Sequence, residues 1–360
     1  MENRLAGEQA PPQSSADVLI RTIGLTKAYG QRLAVNGVNL DVRRGDVFGL
    51  LGPNGSGKTT TLRMLLGLVW PTRGQIELFG ADVNLPGKRK EALQRVGAIV
   101  EQPSFYPFLS GRENLAGIAT FGGLPTGAAT DARIQAVLEQ VGLADRARDS
   151  YRKYSLGMKQ RLGIAAALLT DPELVLLDEP TNGLDPAGMV EVRALITQLA
   201  QRGTTVLLSS HLLHEVQQVC TRVAILKEGV LLAQGQVDEL LASGAGVQIA
   251  FTNTDDMARA IEVLRAAQES GTAWLNGARY IAPEPGAPPP PGGWYLLVTA
   301  AAEHAGDVNR LLGEHGLYAA EVRRRESSLE QFFLALTGGY GAPAPAINGL
   351  APVPMAGAQA

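Results

Sequence analysis

The stretch Leu50–Thr60 reads LLGPNGSGKTT and carries the spacing G-x-x-x-x-G-K-[ST] at Gly52, Gly57, Lys58 and Thr59. Glycines at such positions let successive backbone N–H groups turn inward and wrap a polyphosphate. Pro53, Asn54, Gly55 and Ser56 complete the loop, and Thr60 continues into the helix that opens near Lys58. That helix adds the positive end of its dipole to the cradle. Lys58 has the reach to pair with β- and γ-phosphates, and the Thr59 hydroxyl suits Mg²⁺.

A phosphate cradle alone serves kinases, GTPases, helicases and transport ATPases equally. The stretch Glu173–Pro186, ELVLLDEPTNGLDP, narrows the choice. Asp178 ends an apolar run, where a carboxylate suits Mg²⁺. Glu179 follows directly and is placed to orient or deprotonate an attacking water. A third stretch, Tyr154–Leu169, reads YSLGMKQRLGIAAALL. It has the form of a helix capped by Ser155, with amides at its front end that suit an anion.

Together these motifs resemble those of the ATP-binding cassette (ABC) ATPases, over roughly residues 18–240. The resemblance implies further roles. Gln102, in IVEQPSFYPF, matches the glutamine that joins core to helical insert and senses Mg²⁺ and water. His211, in LLSSHLLHE, matches the histidine that contacts the γ-phosphate. Tyr29, in LTKAYGQ, matches the aromatic residue that stacks on adenine, and Asp185, in NGLDP, the aspartate that communicates across a dimer. Tyr154–Met158 fill the five positions of the family pattern L-S-G-G-Q. Ser155 and Gly157 are kept, while Leu156 replaces the first glycine and Met158 the glutamine. The variant YSLGMKQRL, with EQPSFYPFLSGRENL, is similar to the branch that serves bacitracin-type and other antimicrobial-peptide or drug exporters.

The elements that must carry these residues follow from hydrophobic patterning. VFGLLG, LVLLDEP and TTVLLSS are continuous apolar runs, as in a parallel sheet covered on both faces. KTTTLRMLLGLV and GMVEVRALITQLAQRG read as amphipathic helices between them. VLIRTIGLTKAYG, AVNGVNLDVRRGD and GQIELFG suggest antiparallel strands, and residues 103–170 are mostly helical in pattern. The expected class is α/β: a P-loop NTPase cassette with a parallel core sheet, an antiparallel β subdomain and a helical subdomain.

Beyond that cassette, residues 245–338 read in the order βαββαβ, a small ferredoxin-like α+β domain with a terminal helix in SSLEQFFLALTG. A Pro-rich loop at 283–293 interrupts it. Residues 1–17 and 339–360 have the composition of disordered tails. The accessory domain identifies no ligand; similar domains in the export branch suggest dimer support or regulation. Arg323–Arg325 read as a solvated strand end, His214 as a helix-surface residue and Cys220 as a buried thiol.

Composition sets the remaining bounds. The 360 residues carry a net charge of −3, which argues against a general nucleic-acid binder. A single cysteine fits a reducing cytoplasm. No run of about 18 apolar residues is present, so the chain does not span a membrane alone. A chromosome or DNA-repair ATPase would place a long coiled coil between cradle and signature, where about a hundred residues without sustained heptads stand. A translation factor of the family would usually carry two cassettes, and here each motif occurs once.

The resemblance therefore implies an ATP- and Mg²⁺-dependent ATPase subunit of an exporter. Two copies would face head to tail, with each ATP between Lys58 of one and Ser155 of the other. A separate permease would anchor them on the cytoplasmic face of the cell membrane. Phe105, Tyr106 and Phe108 are expected to be exposed and to help form the permease docking groove. A non-transporting, regulatory cassette acting on a protein partner stays open as the alternative.

Overall fold

In the computed structural model the described residues are 17–336, without Pro86, Gln102, Pro103, Ser243, Gly244, 282–289, 291–293, Ala301, Glu326 and Ser327. Gln102, the 339–360 tail, the N-terminal tail before Asp17 and the Pro-rich loop except Pro290 lie outside the described residues.

Six strands form the core sheet: β4 (Val47–Leu51), β7 (Val96–Ile99), β8 (Leu174–Asp178), β9 (Thr205–Ser210), β10 (Arg222–Lys227) and β11 (Val230–Gln236). Their order is β11-β10-β4-β9-β8-β7, and the run from β10 to β7 is parallel throughout. Every residue of β4, β8 and β9 is buried, which is why their sequences are unbroken rather than alternating. Helices α1 (Lys58–Leu65) and α6 (Pro186–Gln201) follow β4 and β8 and bury Leu62, Leu65, Val192 and Leu199. Parallel order puts the carboxyl ends of β4, β8 and β9 side by side, where open α/β sheets place their ligands.

A second, antiparallel sheet is built on β1 (Val18–Tyr29), which pairs with β2 (Arg32–Val38), β3 (Asp41–Arg43) and β5 (Arg73–Leu78); β6 (Ala81–Asp82) follows β5 at the edge. Helix α2 (Lys88–Leu93) leads into β7. The helical insert comprises α3 (Gly111–Phe121), α4 (Ala128–Gln140) and α5 (Leu156–Leu168). Ser110 starts α3 with a capping box: its hydroxyl accepts from Glu113 N–H, and its own N–H donates to the Glu113 carboxylate at 2.7 Å. The Ser110 N–H first, and second its hydroxyl, which also donates to the Glu113 carboxylate at 2.7 Å, hold the Glu113 carboxyl below its usual pKa. Arg161 of α5 donates to the carbonyls of Val141 and Gly142, tying α5 to the end of α4.

At the entry to β8, Glu173 is gripped by Arg95 at 2.6 Å and by Arg44 at 2.8 Å. Those two guanidinium bonds, Arg95 first, pull its carboxyl pKa down to about 2.

By packing, the described chain divides into two compact units, one drawn from Met1–Leu212 with Val219–Gln234, the other from Leu213–Gln218 with Gly235–Ala360. The second unit holds a four-stranded antiparallel sheet of β12 (Gly246–Ala250), β13 (Gly277–Ile281), β14 (Tyr295–Thr299) and β15 (Glu321–Arg325). Its order, β13-β14-β12-β15, is the ferredoxin-like arrangement. Helices α9 (Thr254–Glu269) and α10 (Ala305–Glu314) bury Leu264 and Leu312 against Val247, Ile249, Leu296 and Val298. The same unit contains the short helices α7 (Leu213–Gln217) and α8 (Val237–Ala242) and the terminal helix α11 (Leu329–Leu336), which packs on both.

Two runs whose residue pattern predicts a longer element, TAWLNGARYIA as a strand and LLHEVQQVC as a helix, are shorter in the structure. The run TAWLNGARYIA is strand only from Gly277, because Leu275 N–H bonds to Thr272 in a turn. The run LLHEVQQVC is helical only to Gln217, and Cys220 lies beyond it. Cys220 is buried, and burial pushes its thiol pKa far up, so it is inert packing.

Candidate functional site

The loop between β4 and α1 is compelled by its glycines. Gly57 has φ +104°, and a β-carbon there would stand 2.4 Å from the Ala34 carbonyl oxygen. At Gly52 it would stand 2.2 Å from the Leu226 carbonyl oxygen. No other residue type fits either place. Pro53, Asn54 and Gly55 are exposed at the loop's outer side, whereas Ser56 is buried. The Ser56 hydroxyl has no hydrogen-bond partner among the described residues. A buried donor left over in a loop of inward-turning amides fits a ligand rich in acceptor oxygens.

Lys58 is 5% exposed, and its ammonium donates to the carbonyls of Gly52 at 2.7 Å and Pro53 at 3.3 Å. It also meets Glu179 Oε1 at 3.2 Å. Thr59, half-buried like Thr60, donates its hydroxyl to Asp178 Oδ1 at 3.2 Å. His211 Nδ1 stands 2.7 Å from Glu179 Oε2. Lys58, Thr59, Asp178, Glu179 and His211 thus converge at the ends of β4, β8 and β9, although three separate segments supply them.

Glu179 has φ +49°, a left-handed conformation that costs a non-glycine residue about 1–3 kcal/mol. Its N–H donates to Ser209 Oγ at 2.9 Å, and its carbonyl accepts from Asn182 N–H at 3.1 Å, which pins the turn. Ser209 also donates its hydroxyl to Asp178 Oδ1 at 2.5 Å. One fully buried serine therefore fixes both acidic residues. Sequence reasoning missed Ser209. The available signal was a pair of serines closing an otherwise apolar strand just before His211.

Other candidate residues stand apart from this cluster. Ser155 caps α5, its hydroxyl accepting from Met158 N–H at 3.2 Å, and is exposed with Leu156 beside it. Gly157 lies in the first turn of α5, where a β-carbon would come within 3.7 Å of Gly188 in α6. Asp185 caps α6 by accepting from Gly188 N–H at 3.3 Å. Neither Ser155 nor Asp185 bonds to the Lys58–Glu179–His211 group. Tyr29 is 49% exposed, with the Lys27 ammonium 5.0 Å from its ring centre. A separate cleft of about 890 Å³, lined by Trp70, Leu85, Arg89 and Leu93 among others, shares no residue with the cluster.

The aromatic stretch after residue 103 divides in two. Tyr106 and Phe108 are exposed as expected, and Phe121 of α3 is exposed too. Phe105 is not: it is half-buried, with its ring 5.1 Å from that of Tyr151. Two tilted aromatic rings in contact shed water from both, so Phe105 packs while its neighbours face outward.

Comparison with known proteins points to one family. A family model described as ABC transporter matches residues 35–182. The chain is 41% identical to the bacitracin transport ATP-binding protein BcrA of Bacillus licheniformis, over 89% of this chain and 98% of that protein. It is 38% identical to the daunorubicin resistance ATP-binding protein DrrA3 of Streptomyces coeruleorubidus, over 90% and 97% respectively. Among solved structures it resembles a dimeric post-hydrolysis state of the ATP-binding cassette MJ0796 bound to ADP and phosphate. That match has a TM-score of 0.55 and 25% identity, and covers 61% of this chain and 99% of the other.

Proposed function

The chain belongs to the ATP-binding subunits of ABC transporters, and from that premise we propose that it powers an exporter of antimicrobial peptides or drugs. It binds and hydrolyses ATP. The observation that supports our assignment of roles is the position of Glu179. Its carboxylate stands between Lys58 and His211, so base, phosphate-binding cation and γ-phosphate histidine share one point.

In this reading the loop 52–57 cradles the polyphosphate, Ser56 donates to it and Tyr29 stacks on the adenine. Lys58 exchanges its bond to Glu179 for phosphate oxygens, which frees the carboxylate to orient and deprotonate water. His211 then holds the γ-phosphate side. The Thr59 hydroxyl and the Asp178 carboxylate are hard oxygen donors that already touch, a set that fits Mg²⁺, and Gln102 would join them. When bound, that ion neutralises phosphate charge.

The cassette over residues 18–240 supplies one cradle and one signature, and its Ser155 bonds to no member of the cradle. Two copies facing head to tail would complete each other's sites, with Asp185 passing the state of one site to the other. The dimeric form of a related cassette supports this arrangement. ATP then closes the pair and hydrolysis releases it.

No helix among the described residues is long and apolar enough to cross a membrane. A separately encoded permease fits that fact and would hold the subunit at the cytoplasmic face of the membrane. The outward-facing Tyr106, Phe108 and Phe121 are its proposed docking surface. Reconstitution in vesicles with a permease encoded beside it, with and without ATP, tests the whole reading. Peptide or drug movement that ignores Glu179→Gln would overturn it.

A further inference from the structure

The chain leaves the cassette unit one residue past His211, after Leu212. Residues Leu213–Gln218, which carry α7, belong by their packing to the C-terminal unit, although they lie in sequence between two strands of the core sheet. The partner that claims α7 is α11, near the end of the described chain. Leu329 N–H donates to Gln217 Oε1 at 3.1 Å. Leu329 is the first residue of α11, so this donor is one that no helix can satisfy internally. Ser328 serves the next free donor, accepting from Gln331 N–H at 3.2 Å, so the start of α11 has two caps from two parts of the chain. Leu329, Phe332 and Val216 are all buried.

Only Leu212 separates α7 from His211. That link is stiff, because Leu212 N–H donates to Ser210 Oγ at 3.0 Å. At two residues' reach, about 7 Å at most, a displacement of α7 has little slack to absorb it before His211 moves. His211 in turn stands 2.7 Å from the Glu179 carboxylate.

We propose that the C-terminal unit sets the position of His211 through α7, with Gln217 as the positioning residue. This rests on the reading of Glu179 and His211 as catalytic partners. It gives the C-terminal unit a part in the timing of hydrolysis. Any event that loosens α11 would shift α7 and with it the histidine, without touching the phosphate cradle.

The test uses the full-length chain. Gln217→Met removes the acceptor and keeps the length, whereas Gln217→Glu keeps an acceptor and adds a charge that a helix start favours. Single-turnover hydrolysis should slow about threefold to tenfold in Gln217→Met, the scale of one lost hydrogen bond, with ATP affinity unchanged within twofold. Gln217→Glu should restore the rate. In a His211→Ala background, Gln217→Met should add no further loss, because its effect passes through the missing ring. Three results would overturn the proposal: an unchanged rate in Gln217→Met, an equal extra loss without His211, or a defect confined to dimer assembly. Normal turnover in His211→Ala alone would instead sink the reading of the site on which the proposal stands.

Discussion

Lys58 and Glu179, far apart in the cassette sequence, form an ion pair of 3.2 Å in a site where Lys58 is almost wholly buried. Each is the other's charge partner, and in the proposed function each serves a different step. On that proposal phosphate competes with a carboxylate for the lysine, and the carboxylate becomes available as a base only as that competition is won.

Replacing Glu179 by glutamine removes the competitor and the proposed base together. Hydrolysis should fall about 10²- to 10⁴-fold while ATP binds at least as tightly as before. With ATP and Mg²⁺ the variant should accumulate as a dimer on size exclusion. Rapid turnover in this variant would remove Glu179 as the base.

Lys58→Ala should act on binding first. It deletes the cradle's buried cation and leaves Glu179 with His211 alone. Affinity for a fluorescent ATP analogue should drop by about tenfold or more, the scale of a lost charge-assisted contact. Unchanged affinity and normal steady-state hydrolysis would contradict the assignment of the cradle.

Ser209→Ala tests the residue that sequence reasoning overlooked. The Asp178 carboxylate loses its buried donor, and the Glu179 N–H loses its acceptor. We expect a stability loss of about 1–3 kcal/mol and a fall in kcat larger than any change in ATP affinity. Chemical denaturation beside steady-state kinetics would show it; an unaltered kcat would mean that Ser209 is structural filling.

Glu173 gives a pH test away from the chemistry. Its folded pKa, about 2, lies below the ordinary value of 4.5 because Arg95 and Arg44 favour the carboxylate. A depressed carboxyl stabilises above its unfolded pKa and loses that contribution as pH falls through the folded one. The thermal midpoint of Glu173→Gln should thus trail the parent above about pH 4.5 and converge with it toward pH 2. The pair is partly exposed, so the gap should be small and shrink with salt.

Tyr106→Ala with Phe108→Ala should weaken co-purification of the permease and leave the ATPase of the isolated subunit intact. Phe105→Ala should instead lower the melting temperature, since its ring packs on Tyr151. Retention of the permease by the double variant would rule out this docking surface.

Much of the site could be read from short segments. The cradle Gly52–Thr59 and the Asp178–Glu179 pair are local patterns, because a loop that wraps phosphate and a carboxylate at a strand end are each built from consecutive residues. The N-cap role of Ser155 was legible for the same reason: it depends on the three residues that follow. The order of strands and helices was likewise written in apolar runs and helical periods. Sequence order left open which strand ends would be neighbours. Parallel pairing places β9 between β4 and β8, so Ser209 can hold Asp178 and Glu179, and His211 can reach a carboxylate from another segment. Tertiary packing also decided that Phe105 turns inward while Tyr106 faces out, and that α7 belongs with α11 rather than with the strands flanking it in sequence. Such choices depend on contacts between residues far apart along the chain, and no local spacing encodes which distant surface a side chain will meet.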